Sequence, residues 1–374
     1  MNRLKYNEYV YQDCTLCPRN CHADRISGSG FCGVGAGLKV AKAMLHQWEE
    51  PCIAGTHGSG AIFFSGCTLR CIYCQNHDIS HKCFGKEIST ERLKEIIFEL
   101  QNQGAETIEF VTASQYIPTL AAVLGEIKKD IAVPTVFNCG GYESARSLRM
   151  LDGLIDIYLP DVKYYSDELA VRYSSAPHYY ETALSAVREM IRQVGEPCYA
   201  APKQNLTHES ERAEDRSVAG QDRENEDIGI AAQAGRNKAF ENAESMTNDA
   251  SVRCDTPDKS PKADEVNGNA AAGSILRSGV IIRHLVLPNC RQDSISLLKG
   301  LASELGRNNF LISLMSQYTP FYKAKEIKEL NRRVTSFEYD SVLQCAVELG
   351  LDGFMQERSS AKEEYTPDFD LSGV

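Results

Sequence analysis

From Ala61 onward the chain alternates two rhythms, and that alternation limits the folds open to it. Short runs rich in Val, Ile and Phe stand at Ala61–Ser65, Thr107–Thr112, Pro134–Asn138, Leu154–Leu159, Val280–Leu287 and Leu311–Met315. Each reads as a strand. Amphipathic stretches of helical period lie between them. Thr90–Gln103 places Leu93, Ile96, Ile97 and Leu100 on one face, behind Ser89 or Thr90 as N-cap. Ile117–Lys129, Glu143–Leu151, Tyr179–Val194, Ser294–Leu305 and Phe337–Leu349 read the same way. Strands each followed by a helix predict parallel pairing with right-handed crossovers. An open doubly wound sheet and a barrel of (β/α) units both satisfy the pattern, and both gather ligands at the C-terminal strand ends.

Two parts of the chain fall outside that rhythm. Residues 1–60 are loop-rich, with many glycines and little periodicity. The stretch 201–274 turns polar, and between Lys203 and Glu265 it holds 15 acidic and 9 basic residues, more than half of the net charge of −11. Low hydrophobicity with excess charge cannot offset the entropy of ordering, so this stretch is expected to be a disordered insertion. The acidic balance argues against a general nucleic-acid binder. No window reaches the apolar length of a membrane span, and the N-terminus lacks the apolar core of a secretion signal. A cytosolic chain is therefore expected, with no membrane partner and no nucleic acid. Its fourteen cysteines then point to metal before disulfides.

Seven of those cysteines fall in two groups. Cys67, Cys71 and Cys74 sit in one short loop after a strand, spaced Cys-x3-Cys-x2-Cys. Soft thiolates suit iron–sulfur clusters, zinc or copper(I). A cubane [4Fe–4S] cluster normally takes four cysteines, so three leave one iron open for chemistry. A zinc loop completed by His77 or Cys83 is the competing reading. Cys14, Cys17, Cys21 and Cys32 offer four thiolates, enough to close a structural site around zinc or a second iron–sulfur cluster, with His22 able to replace one ligand.

At the three-cysteine loop the chain resembles the radical S-adenosylmethionine (SAM) superfamily, with Tyr73 at that family's aromatic position. Further motifs narrow the likeness: Ile62-Phe63-Phe64-Ser65-Gly66-Cys67, Tyr158-Leu159-Pro160-Asp161-Val162-Lys163, Ile282-Arg283-His284-Leu285-Val286-Leu287-Pro288 and Met315-Ser316-Gln317-Tyr318-Thr319-Pro320. Together they resemble homologues of pyruvate formate-lyase-activating enzyme. The resemblance implies a partial TIM-type barrel of six (β/α) units and a [4Fe–4S] cluster on Cys67, Cys71 and Cys74. It also implies SAM chelating the open iron, and a 5′-deoxyadenosyl radical that abstracts hydrogen. The electron donor would be a reduced flavodoxin or ferredoxin, and the protein substrate a glycyl-radical enzyme. A radical SAM enzyme acting on a small molecule or another protein residue stays open beside it. So does a non-catalytic iron–sulfur carrier or zinc-stabilised interaction protein.

The strand-end rule supplies the remaining candidates. Ser114 and Gln115 follow the second strand, where the family often has Gly-Gly-Glu. Asn138 precedes Gly140 and Gly141 after the third. Asp161 and Lys163, two apart, face one side after the fourth. Arg283 and His284 open an apolar strand, and only one of them can point inward. Arg283 is the expected SAM contact and His284 an outward-facing cap. Gln317 and Tyr318 follow the last strand. The domain reading is a Cys-rich metal-binding lobe at 1–60, a barrel at 61–200 and 275–357, the insertion between them, and a tail at 358–374.

Overall fold

The parallel strands follow one another in space in the order they have in the chain. The structure, a computed structural model, describes residues 9–199, 238–239, 274–355 and 367–374. Its strands are β1 (Leu38–His46), β2 (Ser59–Phe64), β3 (Lys86–Ile88), β4 (Ile108–Val111), β5 (Thr135–Cys139) and β6 (Ile157–Pro160). They continue with β7 (Cys198–Tyr199), β8 (Lys238–Ala239), β9 (Leu276–Leu285), β10 (Leu311–Met315) and β11 (Gly353–Met355). One sheet runs β3-β1-β2-β4-β5-β6-β9-β10-β11-β8. The path from β2 to β11 is parallel throughout. A doubly wound sheet would reverse direction at a switch point. This one does not, so the fold is α/β of the partial-barrel kind, open between its two antiparallel edges.

The helices cover the outside for the reasons that their sequences give. Helix α1 (Thr90–Asn102) buries Leu93, Ile96, Ile97 and Leu100, and Ser89 is the N-cap that accepts from the Arg92 amide. Outer-layer helices α2 (Ile117–Ile127), α3 (Asp167–Ser174), α4 (Tyr179–Val194), α5 (Arg291–Leu305) and α6 (Ser336–Glu348) follow in turn. The helix expected over Glu143–Leu151 shrinks to Ala145–Leu148 and a 3₁₀ turn, because Glu143 is drawn into the interior by Ser114.

Period-2 alternation divides each inner strand between helix layer and barrel interior. Phe137, Tyr158, Ile282 and Ile312 join the helix-side core. Val136, Ile157, Leu159, Ile281 and Leu311 turn inward, where Cys52 and Ile53 of the turn Pro51–Ala54 pack against them. Two residues further along β5, β6 and β9 come Asn138, Asp161 and Arg283, so a polar layer sits above an apolar one.

Three features escaped the sequence reading. β1 lies inside the stretch read as loop-rich, because it is buried along most of its length on both sides and shows no alternation. The final residues return to it: Leu371 donates to the Ala41 carbonyl at 3.1 Å and Ala43 to that of Ser372 at 3.0 Å. And β11 extends the parallel run past the sixth strand. The stretch 201–274 lies outside the described residues apart from β8 and residue 274.

Candidate functional site

The three-cysteine loop is braced from several sides. Gly66, at φ +85°, turns the chain where a Cβ would meet the Cys32 carbonyl oxygen at 2.8 Å. Arg70 donates its amide to Ser174 O at 3.1 Å and Ile72 to Tyr173 O at 2.9 Å, tying the loop to α3. A hydroxyl relay runs from Tyr73 through Tyr164, 2.6 Å away, to Ser174 at 2.7 Å and on to Cys71 Sγ at 3.0 Å. Cys74 Sγ lies 3.2 Å from Ser80 Oγ. Tyr164, Ser174 and Ser80 carry no motif, and only the fold brings them here.

Cys67, Cys71 and Cys74 all line one cavity of about 270 Å³. Burial and the neighbouring thiols push Cys67 up to about 12 and Cys74 to about 11, and burial raises Cys71, while the Lys163 ammonium pulls all three the other way. Crowded thiols short of positive charge are the donor set that a cationic cluster relieves. As they stand, no three His, Cys, Asp or Glu side chains among the described residues converge enough to hold a metal ion. Ligation therefore requires the thiols to turn toward the cavity they already line.

The polar layer forms the facing wall. Lys163 Nζ donates to Asp161 Oδ2 at 2.7 Å, and Arg283 Nε to Asp161 Oδ1 at 2.8 Å. The Arg283 fork also reaches Glu49 Oε2 at 3.0 Å and Asn138 Oδ1 at 2.6 Å. Asn138 in turn donates to Glu109 Oε1 at 2.7 Å. Burial raises the Asp161 carboxyl, but Arg283 and Lys163 outweigh it and hold it below its ordinary value. Glu49 and Glu109 go the other way, raised by burial.

Of the sequence candidates, Tyr73, Asn138, Asp161, Lys163, Arg283, Gln317 and Tyr318 line the cavity. The network joins Asn138, Asp161, Lys163 and Arg283 directly. Tyr318 packs edge-on against Tyr73 at 6.1 Å and donates to Leu330 O at 2.9 Å. Ser114 is buried away from the cavity lining and donates to Glu143 Oε1 at 2.8 Å. His284 is no outward cap: it is 1% exposed, with Nδ1 2.7 Å from Val162 O and Nε2 2.9 Å from Ser294 Oγ. The pleat sends it into the layer between sheet and α5. Gly141 lets backbone approach backbone, since a Cβ there would collide with the Asp161 carbonyl, whereas Gly140 lines the cavity and a Cβ on it would meet the Leu69 side chain. Glu49 and Glu109 were missed, although a glutamate inside the apolar run Thr107–Thr112 was a visible signal.

The first cysteine group gathers in the N-terminal lobe. A Cβ on Gly30 would lie 3.4 Å from Cys32 Sγ and 3.5 Å from Cys21 Sγ. Burial first, then the Cys14, Cys32 and Cys21 thiols, push Cys17 up to about 12. Arg25, 1% exposed, donates toward Cys14 Sγ at 3.7 Å, to Gln115 O at 2.8 Å and to Gly35 O at 2.6 Å. It buttons this lobe to the barrel end. No cysteine among the described residues is in a disulfide.

Residues 61–198 match the family model of the radical SAM superfamily. An uncharacterized protein of Methanocaldococcus jannaschii is 24% identical over 357 residues, covering 94% of this chain and 79% of that one. Among solved structures, Streptococcus suis SuiB bound to precursor peptide SuiA aligns over 77% of this chain and 46% of its own, with TM-score 0.42 and 7% identity. Methylornithine synthase aligns over 77% of this chain and 61% of its own, at TM-score 0.41 and 12% identity. The [FeFe]-hydrogenase maturase HydG of Carboxydothermus hydrogenoformans covers 82% and 56%, at TM-score 0.42 and 10% identity. This chain thus spans about half to three-fifths of the length of those structures. The stretch that matches the family model, residues 61–198, contains the three-cysteine loop.

Proposed function

We propose that this chain is a radical SAM enzyme, with Cys67, Cys71 and Cys74 as ligands of a [4Fe–4S] cluster. The observation that carries the reading is that these thiols open on the same cavity as the Asp161–Lys163–Arg283 network. When bound, a reduced cluster with SAM supplies a 5′-deoxyadenosyl radical for hydrogen abstraction. Lys163 offers an ammonium to the SAM carboxylate, and Asp161 holds it in place. Arg283 fixes Asp161 through a charge-assisted bond. Tyr73 gives the adenine an aromatic wall, and Asn138 and Gln317 present amides to its polar edges. Ser114 acts one step back, by holding Glu143 under the strand ends.

The finer reading is an activase of a glycyl-radical enzyme, fed by reduced flavodoxin or ferredoxin. Its support is the family resemblance of the Asp161-x-Lys163 and Arg283 strands. Cys14, Cys17, Cys21 and Cys32 hold zinc or a second iron–sulfur cluster, which staples the N-terminal lobe beneath Arg25.

Anaerobic reconstitution tests these assignments. The expected metal content is about four irons per chain, joined by one zinc or by a second set of irons. Cys→Ala at 67, 71 or 74 should abolish the cluster's visible absorbance, and Cys→Ala at 14 or 32 should remove only the second metal. Reduced protein with SAM should release 5′-deoxyadenosine. Its absence overturns the enzymatic reading, and a glycyl-radical EPR signal on a co-incubated lyase is required for the finer one.

A further inference from the structure

The cavity has a second end, with chemistry unlike that of the cysteine loop. His46, Trp48, Glu49 and Glu50 line it there, between the end of β1 and the Pro51–Ala54 turn that plugs the barrel. His46 pairs with Ser59 at the start of β2, while Cys67 follows the other end of that strand. Five strand steps, roughly 17 Å of backbone, separate these two strand ends, and Arg283 bridges the space between by bonding Glu49 at 3.0 Å and Asp161 at 2.8 Å.

Glu50 is 4% exposed, and its Oε2 has no hydrogen-bond partner among the described residues. Burying a carboxylate oxygen unpaired is costly. The neighbouring cations are already engaged, Arg283 with Asp161, Glu49 and Asn138, and Lys163 with Asp161. His46 adds no charge, because burial lowers it to about 4. Asp161, Glu49, Glu50 and Glu109 thus share two cations. Trp48, 46% exposed, adds an aromatic face.

We propose that Glu50, Glu49 and Trp48 form a subsite for an ammonium or guanidinium group of the substrate. An entering cation meets a buried carboxylate oxygen with a vacant lone pair and an indole suited to cation–π contact. SAM also carries an ammonium, but the reading above places SAM at the cysteine end. The word substrate rests on that reading, whereas cation binding does not.

The test uses anaerobically reconstituted protein and ligand-observed NMR with n-butylguanidinium and n-butylammonium, against n-butanol and butyrate of the same chain length. The cations should bind at least tenfold more tightly than either control. Glu50→Gln should weaken them at least tenfold, and Trp48→Leu about threefold. Equal binding of n-butylguanidinium and n-butanol overturns the subsite. A Glu50→Gln protein that loses SAM affinity and keeps cation affinity also overturns it, because the carboxylate would then serve SAM. Arginine-containing and lysine-containing glycyl peptides, compared with free agmatine, separate a peptide source of the cation from a small-molecule source. Cation binding without 5′-deoxyadenosine release would sink the radical SAM reading and leave the subsite standing.

Discussion

Tyr179 shows how much of the site depends on residues that never reach the cavity. Its hydroxyl donates toward Gly140 O at 2.9 Å and Asp161 O at 2.8 Å, and accepts from the Lys163 amide at 3.0 Å. It therefore fixes the backbone on both sides of the Asp161–Lys163 pair. Tyr179→Phe leaves these groups without their partner, and a loss of about 1–3 kcal/mol in urea unfolding is expected. SAM affinity should fall with the cluster's iron content unchanged, a split that a global folding defect would not give. His284 makes a prediction with a definite sign. Burial lowers it to about 4 from 6.5, so the unfolded chain takes up the proton first. Its stabilisation is whole above pH 6.5 and is lost as pH falls through 4, by an amount on the order of 3 kcal/mol. In His284→Asn that part of the acid sensitivity should vanish from the pH dependence of unfolding. An unchanged profile would mean that His284 titrates normally.

Elements differ in how openly their sequences announce them. Helix α6 is the plainest: Thr335 accepts from the Glu338 amide while Glu338 returns to the Thr335 amide, a complete capping box. Arg332 first, then the Thr335 and Asn289 amides, hold the Glu338 carboxyl well below its usual range. That contribution is present above the ordinary glutamate pKa and is lost as pH falls below it. Thr335→Ala should cost about 1 kcal/mol, measured by thermal or urea unfolding at neutral pH. The six inner strands were equally legible, since double burial writes itself as continuous apolar runs. β1 was not: Lys39 and Lys42 interrupt its pattern. Lys42 is tolerated because its ammonium donates to Asp368 O at 2.7 Å and Asp370 Oδ1 at 3.1 Å, partners more than 300 residues away in the chain.

At the scale of the whole molecule, the C-terminal segment returns to β1. Phe369 sets its ring 5.6 Å from Phe63, and Pro367 joins Phe63 in the cavity lining. Phe369→Ala should therefore do two things at once. Unfolding should become easier by about 1–2 kcal/mol, for a part-buried aromatic. Ligand affinity at the cavity should also change, and an effect on stability alone would separate the segment from the site. No helix among the described residues is long and apolar enough to cross a membrane.

The sequence by itself determined what local chemistry can determine. It specified the inner strands and most of their helices, the three thiols on one loop, and the strand-end residues Asn138, Asp161, Lys163 and Arg283. These follow from side-chain periodicity and from spacing within a few residues. Only the tertiary structure decided between barrel and doubly wound sheet, because strand order is a long-range property. It buried His284 between sheet and α5 against the Val162 carbonyl and the Ser294 hydroxyl, since those partners come from other elements of the chain. And it brought Glu49, Trp48 and Glu50 to the barrel floor through β1, a strand whose stability comes from partners remote in the chain.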